Sequence, residues 1–272
     1  MPALPLMTWI SIGFIAVALI VTLIGPFLVT HDPYMFGADM NSPPSKEHWL
    51  GTDDQGQDVY SRLLIGTRLS LFYGASAACV ALITGGLAAL IAMALGPVTE
   101  TVVFAVVDLI RALPGILFAL AFVVAFEPSE TSVVLALGIS FAPNFALIAR
   151  ATYLQQMARP YTDAAKVLGA GRLRIALVHV LPNIGGALIT QFAIILPRCI
   201  VSESVLSFLG LGVSPETPTW GRMIASAASF TEDAPHAVIA PILALSIVTF
   251  SLALIGDALR RRFDPARRRI AQ

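Results

Sequence analysis

Five charged side chains interrupt long apolar runs, and they are the first places to look for chemistry. They are Asp108, Arg111, Arg198, Glu203 and Asp257. A charge at the centre of a bilayer costs about 2.5–3.5 kcal/mol on insertion scales, so each one needs a partner or a polar path. We interpret Asp108 and Arg111, three residues apart, as an intrahelical pair rather than a substrate site. Asp257 is interpreted as a partner of the arginines that follow it, or as a helix cap.

Arg198 and Glu203 leave two interpretations open. Pro197 precedes them and frees backbone groups from the regular helical hydrogen-bond pattern. Either the two charges line a translocation path and act as a gate, or they form structural pairs, including pairs across a subunit interface. Both are predicted to lie toward the outer end of their span.

The sequence offers no arrangement typical of catalysis, nucleotide binding or metal binding. It has no H-E-x-x-H string, no paired acids at midplane depth and no nucleophile–base pair at matching depth. A P-loop ends in Gly-Lys-Ser or Gly-Lys-Thr, and neither Lys46 nor Lys166 follows a glycine. His31, His48 and His236 are well separated in sequence, so we interpret them as ordinary loop residues rather than nickel ligands. We expect no catalytic residue, cofactor or metal in this chain.

Composition places these residues in a membrane. The chain is 57% hydrophobic and 12% charged, against about 25% charged residues in soluble domains. Long unbroken apolar runs favour helices, which satisfy their own backbone groups in lipid. Cys79 and Cys199 lie in such runs and are interpreted as small buried hydrophobes. The net charge of zero gives no signal for nucleic acid.

Six runs are long enough to be transmembrane helices. They cover residues 7–29, 69–99, 101–126, 131–155, 182–209 and 237–254. The polar stretch 31–68 is predicted to be an ordered loop, in which 57–68, with Asp58 and Arg62 four apart, suits a short interfacial helix. Residues 1–68 therefore form an N-terminal helix plus external loop, and 69–272 form the main membrane domain. Gly74, Gly85 and Gly86 are predicted to allow close helix packing.

Basic residues predict the orientation. Segment 158–181 and the tail are rich in them, whereas loop 31–68 is acidic. With six spans, both termini and segment 158–181 share one side, predicted to be cytoplasmic. The basic residues are Arg159, Lys166, Arg172 and Arg174 in the segment, and Arg260, Arg261, Arg262, Arg267, Arg268 and Arg269 in the tail.

Segment 158–181 is the most informative polar stretch. The Arg-Pro pair at 159–160 is predicted to end the fourth span, with Thr162 as N-cap and Asp163 in the first turn of a short helix. Gly169 and Gly171 break that helix, and a second short helix over 172–180 leads into the fifth span. We call segment 158–181 the elbow. Because it is anchored to a span at both ends, a protein that binds it can tilt the two spans together.

These residues resemble the EAA loop of ABC importer permeases. Asp163-Ala164-Ala165, Gly169 and Leu181-Pro182 stand at its spacing, with Asp in place of the usual Glu. Residues 178–183, V-H-V-L-P-N, are similar to the R-H-I-L-P-N of the dipeptide/oligopeptide/nickel subfamily. Three further collinear stretches resemble its second permease subunit: His48-Trp49-Leu50-Gly51-Thr52-Asp53 with Gly56, Asp58, Ser61, Arg62 and Gly66; Glu203-Ser204 through Ser207-Phe208-Leu209-Gly210-Leu211-Gly212 to Pro218-Thr219-Trp220-Gly221; and Gly256-Asp257 with Asp264-Pro265.

The resemblance implies a type I ABC importer permease (MetI-like) fold in a bacterial inner membrane. It implies a partner permease in a heterodimer, two cytoplasmic ATPase subunits that bind ATP and Mg²⁺, and an extracytoplasmic substrate-binding protein. Coupling to the ATPases is implied for Asp163, Ala164, Ala165, Lys166, Gly169, Arg172, Arg174, Leu181 and Pro182. Arg172 and Arg174 are equally interpretable as topology charges. Dipeptides, oligopeptides, nickel complexes and opines remain open as substrates.

A secondary transporter or channel subunit is the main alternative. That class favours midplane acids, broken helices and inverted repeats, whereas the strongest motif here is predicted to be cytoplasmic. A membrane enzyme is the second alternative, and the sequence nominates no catalytic pair for it.

Overall fold

A computed structural model describes residues 5–212, 214 and 216–263 of the chain. Among these residues, five helices are long and apolar enough to cross a membrane, or six when one bent pair counts as a single span. This confirms the predicted all-α membrane architecture. The straight spans are span one Leu6–Leu28, span two Val59–Leu95, span four Glu130–Met157, span five Arg172–Phe208 and span six Pro235–Phe263. Arg267, Arg268, Arg269, Asp264 and Pro265 lie outside the described residues.

Span three is the bent pair and not the single helix predicted over 101–126. Its halves, Pro97–Arg111 and Gly115–Ala125, meet at 96°. Pro114 lies at the break, where it lacks an N–H and disfavours helical geometry in the residue before it. Asp108 and Arg111 form the predicted pair, 3.5 Å apart, and both are exposed.

Span two begins earlier than predicted. Residues 57–68 are not a separate interfacial helix, because Val59 opens a helix that continues through a π-helical turn, Leu82–Leu87, to Leu95. The loop before it folds over its first turns and buries Arg62. Arg62 pairs with Asp53 at 3.6 Å rather than with Asp58. Because the loop covers this part of span two, its polar side chains are buried against protein. A helix lying in the membrane interface would leave them exposed.

Spans two, four and five form the centre of the bundle, and span one packs against spans two and six. Small residues allow the close approach. A Cβ on Gly85 would overlap the backbone of Ala142, and one on Gly74 would overlap Ile200, as predicted for these glycines. Cys199 is buried but Cys79 is exposed, because a lipid-facing surface is as apolar as a core.

The bundle has two distinct ends. At the loop end, residues 29–58 are ordered by internal hydrogen bonds and by a short bridge between Thr52 and Asp58. A ring nitrogen of His236 lies 3.0 Å from the Thr52 carbonyl oxygen and ties the loop to span six. At the elbow end, segment 158–181 lies beside the Gly96 turn between spans two and three.

Candidate functional site

The elbow begins with a helix, Pro160–Val167, whose start is set by proline. Pro160 occupies the first helical position, where its missing N–H costs nothing, and Arg159 is extended before it. Arg159 is therefore the N-cap residue, and the prediction of Thr162 was wrong. Thr162 lies in the first turn, fully buried, and its hydroxyl donates to the Arg159 carbonyl oxygen at 2.6 Å.

The elbow helix ends in a Schellman motif. Gly169 has a φ of +83°, a conformation that other residues rarely adopt. Its N–H donates to the Lys166 carbonyl oxygen at 2.9 Å, and the Ala170 N–H donates to the Ala165 carbonyl oxygen at 3.0 Å. The chain turns sharply here, which explains why glycine stands at this position.

The second arm of the elbow is not the separate short helix predicted over 172–180. It is the first part of span five, a 37-residue helix from Arg172 to Phe208. A π-helical segment, Ile175–Val180, precedes Leu181 and Pro182, and such irregular turns accommodate a proline within a continuous helix. A displacement of the second arm therefore passes directly into span five.

The elbow tip, Val167 to Gly169, is apolar and exposed. Val167 is 87% exposed and Leu168 is 86% exposed, whereas Ala165 on the opposite face is buried. Asp163 and Lys166 form an exposed ion pair of 2.8 Å behind the tip. Ala164 is exposed as well. Two adjacent exposed apolar residues thus interrupt an otherwise polar segment.

A cavity of about 450 Å³ lies under the elbow, beside the Gly96 turn. Its lining includes Lys166, Arg172 and Glu100, whereas Arg174 is exposed outside the lining. Glu100 also pairs with Arg150 at 2.8 Å and so joins span three to span four. The elbow thus faces a charged junction between spans two, three and four.

Arg198 lines a second, larger cavity of about 580 Å³ between spans four, five and six. Asp257 and Arg260, at the elbow end of span six, share its lining. Arg198 stands ten residues before the end of span five at Phe208, in the later half of the span, where the sequence placed it. Arg198 is exposed and has no ion pair within the described residues. Asp257 pairs with Arg261 at 2.5 Å, as its position before the arginines predicted.

Glu203 is separated from Arg198. Its side chain is fully buried and accepts hydrogen bonds from Ser207 at 2.7 Å and from Ser204 at 3.5 Å. Of the two residues predicted to line a path or gate, only Arg198 borders open space in this chain. Glu203 instead lies inside the packing of span five against its neighbours.

Comparison with known proteins decides what this arrangement is. Residues 81–269 match the family described as binding-protein-dependent transport system inner membrane component. The chain belongs to this family. The match includes the elbow, both cavities and spans four to six, and it assigns the chain to a family of transport permeases rather than to the secondary transporters or channels that were the main alternative.

Two relatives illustrate the similarity. The di/tripeptide transport system permease protein DppC of Pseudomonas aeruginosa is 36% identical over 262 residues, which is 93% of this chain and 86% of that protein. The glutathione transport system permease protein GsiD of Pectobacterium atrosepticum is 35% identical over 226 residues, 83% of this chain and 75% of that protein. This permease is accordingly a subunit of an ABC importer, a class that works with ATPase and substrate-binding proteins.

Some structural features of the candidate site were not predicted from the sequence. Val167 and Leu168 precede Gly169 in a polar segment. The contrast between these two apolar residues and their polar surroundings was the available signal for an exposed tip. The Glu100–Arg150 pair had no signal, since fifty residues separate its members. The convergence of His31, His48 and Asp58 at the loop end also went unnoticed, because it depends on the fold of residues 29–58.

Proposed function

We propose that this permease is a non-catalytic subunit forming half of a translocation path for peptides, driven by ATP hydrolysis on separate subunits. The observation that carries the proposal is the elbow tip. Val167 and Leu168 are almost fully exposed, on a turn held rigid by the Schellman motif. An apolar tip of this shape suits insertion into a groove on an ATPase subunit.

The proposed orientation puts the elbow and both termini in the cytoplasm. Arg159, Lys166, Arg172 and Arg174 surround the elbow, and Arg260, Arg261 and Arg262 in the last turn of span six lie at the same end. This distribution satisfies the positive-inside tendency. Arg172 and Arg174 serve this topology, and they also surround the tip where an acidic partner surface would contact it.

The proposed path runs along the Arg198 cavity. An exposed arginine in lipid would cost about 2.5–3.5 kcal/mol, so the cavity faces water or a second, heterodimeric permease subunit. A guanidinium forms strong paired hydrogen bonds with a carboxylate, which every peptide carries at its C-terminus. The names of the two relatives, one for di/tripeptides and one for glutathione, favour this substrate class.

The proposed mechanism is alternating access. A substrate-binding protein delivers the peptide at the loop end, and closure of two ATPase subunits displaces the elbow tip. Because the second arm is continuous with span five, the displacement moves Pro197 and Arg198 as part of one rigid lever. ATP and Mg²⁺ bind to the ATPase subunits.

The test removes the apolar tip. In the Val167→Ser/Leu168→Ser double variant, co-purification of the ATPase subunits with the permease should fall sharply, while membrane insertion stays normal. Leu209→Ser is the matched control, because Leu209 is an exposed apolar residue outside the elbow. Equal ATPase recovery with the double variant and the control would contradict the proposed docking.

A further inference from the structure

Three potential metal ligands converge at the loop end of the permease. His31, His48 and Asp58 each offer one ligand atom, and these atoms all lie within 4.8 Å of one another. His31 follows span one, His48 lies in the middle of the loop, and Asp58 precedes span two. The fold of the loop therefore brings together residues that their sequence spacing keeps apart.

The three side chains are already held in place. The His31 and His48 rings lie 4.5 Å apart between centroids, and His48 Nδ1 is 3.0 Å from Asp58 Oδ1. Asp58 is buried, and its second oxygen, Oδ2, accepts a 2.8 Å hydrogen bond from the Ser61 N–H. That bond fixes the carboxylate at the helix start and leaves Oδ1 in contact with His48, while His31 Nδ1 lies 3.2 Å from Thr30 Oγ1.

We propose that His31, His48 and Asp58 form a binding site for a divalent transition-metal ion of the Zn²⁺ class. Two imidazoles and one carboxylate are a ligand set that suits zinc. Ligand distances of about 2.0–2.2 Å require the three atoms to approach one another more closely than 4.8 Å, which modest rotation of the two partly buried rings supplies. A fourth position remains for water or for a group on a docked protein.

The bound ion links three segments of the chain. It joins the end of span one, the loop and the first turn of span two, which otherwise meet through hydrogen bonds such as that from the Thr30 N–H to Ser61 Oγ. Binding to the folded state alone raises the unfolding temperature. Zinc binding and thermal stabilisation are therefore expected together.

The chain supplies its own controls. His236 lies at the same end, but its ring nitrogen contacts the Thr52 carbonyl oxygen rather than the cluster. His179 lies in the elbow, at the opposite end. Neither belongs to the group of converging ligands. Replacement of either residue by alanine should leave the metal site intact.

The experiment uses the full chain, purified in detergent without a polyhistidine tag and stripped with a chelator. Zn²⁺ titration by calorimetry and the visible spectrum of added Co²⁺ should report one ion per chain. His31→Ala and His48→Ala should each weaken Zn²⁺ binding by at least about 10–100-fold, the loss seen when even supporting residues of zinc sites are removed. His179→Ala and His236→Ala should bind as the unaltered chain does.

A second readout guards against misfolded variants. Zn²⁺ should raise the unfolding temperature of the unaltered chain and of His179→Ala, but not that of His31→Ala. If the unaltered chain binds no stoichiometric Zn²⁺, or if a His31→Ala/His48→Ala double variant binds it equally well, the cluster is a hydrogen-bonded contact only. That result would leave the elbow and the transport proposal unaffected.

Discussion

The amide nitrogen of Ala170 donates a 3.0 Å hydrogen bond to the carbonyl oxygen of Ala165 and closes the elbow helix. The bond requires the residue between the helix end and Ala170 to adopt a positive φ, and Gly169 does so at +83°. Apart from its two chain neighbours, the part of the chain that the structure describes places no heavy atom within 4 Å of a Cβ built on Gly169. The requirement for glycine is therefore conformational rather than steric.

We expect Gly169→Val to reduce uptake and substrate-stimulated ATP hydrolysis sharply in the assembled transporter. A β-branched residue at this φ is strained by about 1–3 kcal/mol, which re-aims the elbow tip. Gly171→Val is the matched control, because Gly171 has a φ of −69° and equally open surroundings. Normal uptake by Gly169→Val would show that the shape of this turn does not matter for coupling.

The ion pair between Asp163 and Lys166 gives a second test of the elbow. Both side chains are exposed, so the pair contributes only about 0.2–0.5 kcal/mol to the helix. Asp163→Lys should therefore lower uptake without lowering the unfolding temperature. The swapped variant Asp163→Lys/Lys166→Asp restores the internal pair but not the charge presented to a partner. Recovery of uptake in the swapped variant would indicate that Asp163 acts only within the helix.

Adjacent glycines in span two should respond differently to alanine. A Cβ on Gly85 would overlap the Ala142 backbone of span four, whereas the nearest atom to a Cβ on Gly86 is the flexible Leu82 side chain at 3.4 Å. Gly85→Ala should destabilise the permease by about 1–3 kcal/mol, the usual cost of overpacking. Gly86→Ala should be neutral or stabilising, because alanine favours helices. Thermal unfolding in detergent compares the two, and equal melting would contradict the packing described.

Local signals in the sequence predicted the six spans, the elbow and its glycine turn. These signals are local: they are the apolar runs, the Arg-Pro pair at 159–160 and Gly169, and each acts on the chain immediately around it. The helix boundaries were less predictable, because a proline ends a helix in one context and is accommodated within a helix in another. Pro114 breaks span three at 96°, while Pro182 lies within the helix that carries span five.

Features that depend on distant segments escaped prediction. Asp58 and Arg62 have the spacing of a helical pair, yet Arg62 meets Asp53 because the loop folds back over span two. The proximity of His31 and His48 likewise depends on the fold of residues 29–58 and has no signal in their sequence spacing.

Asp54 should make the loop sensitive to pH. Burial, with a further contribution from the neighbouring Asp53 carboxylate, raises the pKa of Asp54, and its Oδ1 is buried without a hydrogen-bond partner among the described residues. Because the folded-state pKa exceeds the unfolded one, the stability due to the protonated form is fully present below about pH 3.9. It is lost as the pH rises through the folded-state pKa.

Asp54→Asn should therefore raise the unfolding temperature at pH 7, with a gain that disappears as the pH falls below the unfolded pKa of about 3.9. Thermal unfolding across this range measures the effect. Asp39→Asn is the control, because Asp39 is exposed in the same loop. A gain that stays constant with pH would show that the Asp54 charge is not its cause.

Arg198 is the final test, because it separates the path from the elbow. Loss of a hydrogen bond to a charged group costs about 1.5–3 kcal/mol, so Arg198→Gln should weaken peptide uptake roughly tenfold or more. Arg198→Lys keeps the charge but not the planar pair of donors, so its uptake should fall between that of the unaltered permease and that of Arg198→Gln. Folding should be unaffected in both, since Arg198 is exposed and makes no ion pair among the described residues. Arg111→Gln, which removes an exposed arginine outside the cavity, should transport normally. The measurement is peptide uptake by the reconstituted transporter. Equal uptake by Arg198→Gln and the Arg111→Gln control would show that Arg198 does not line the path.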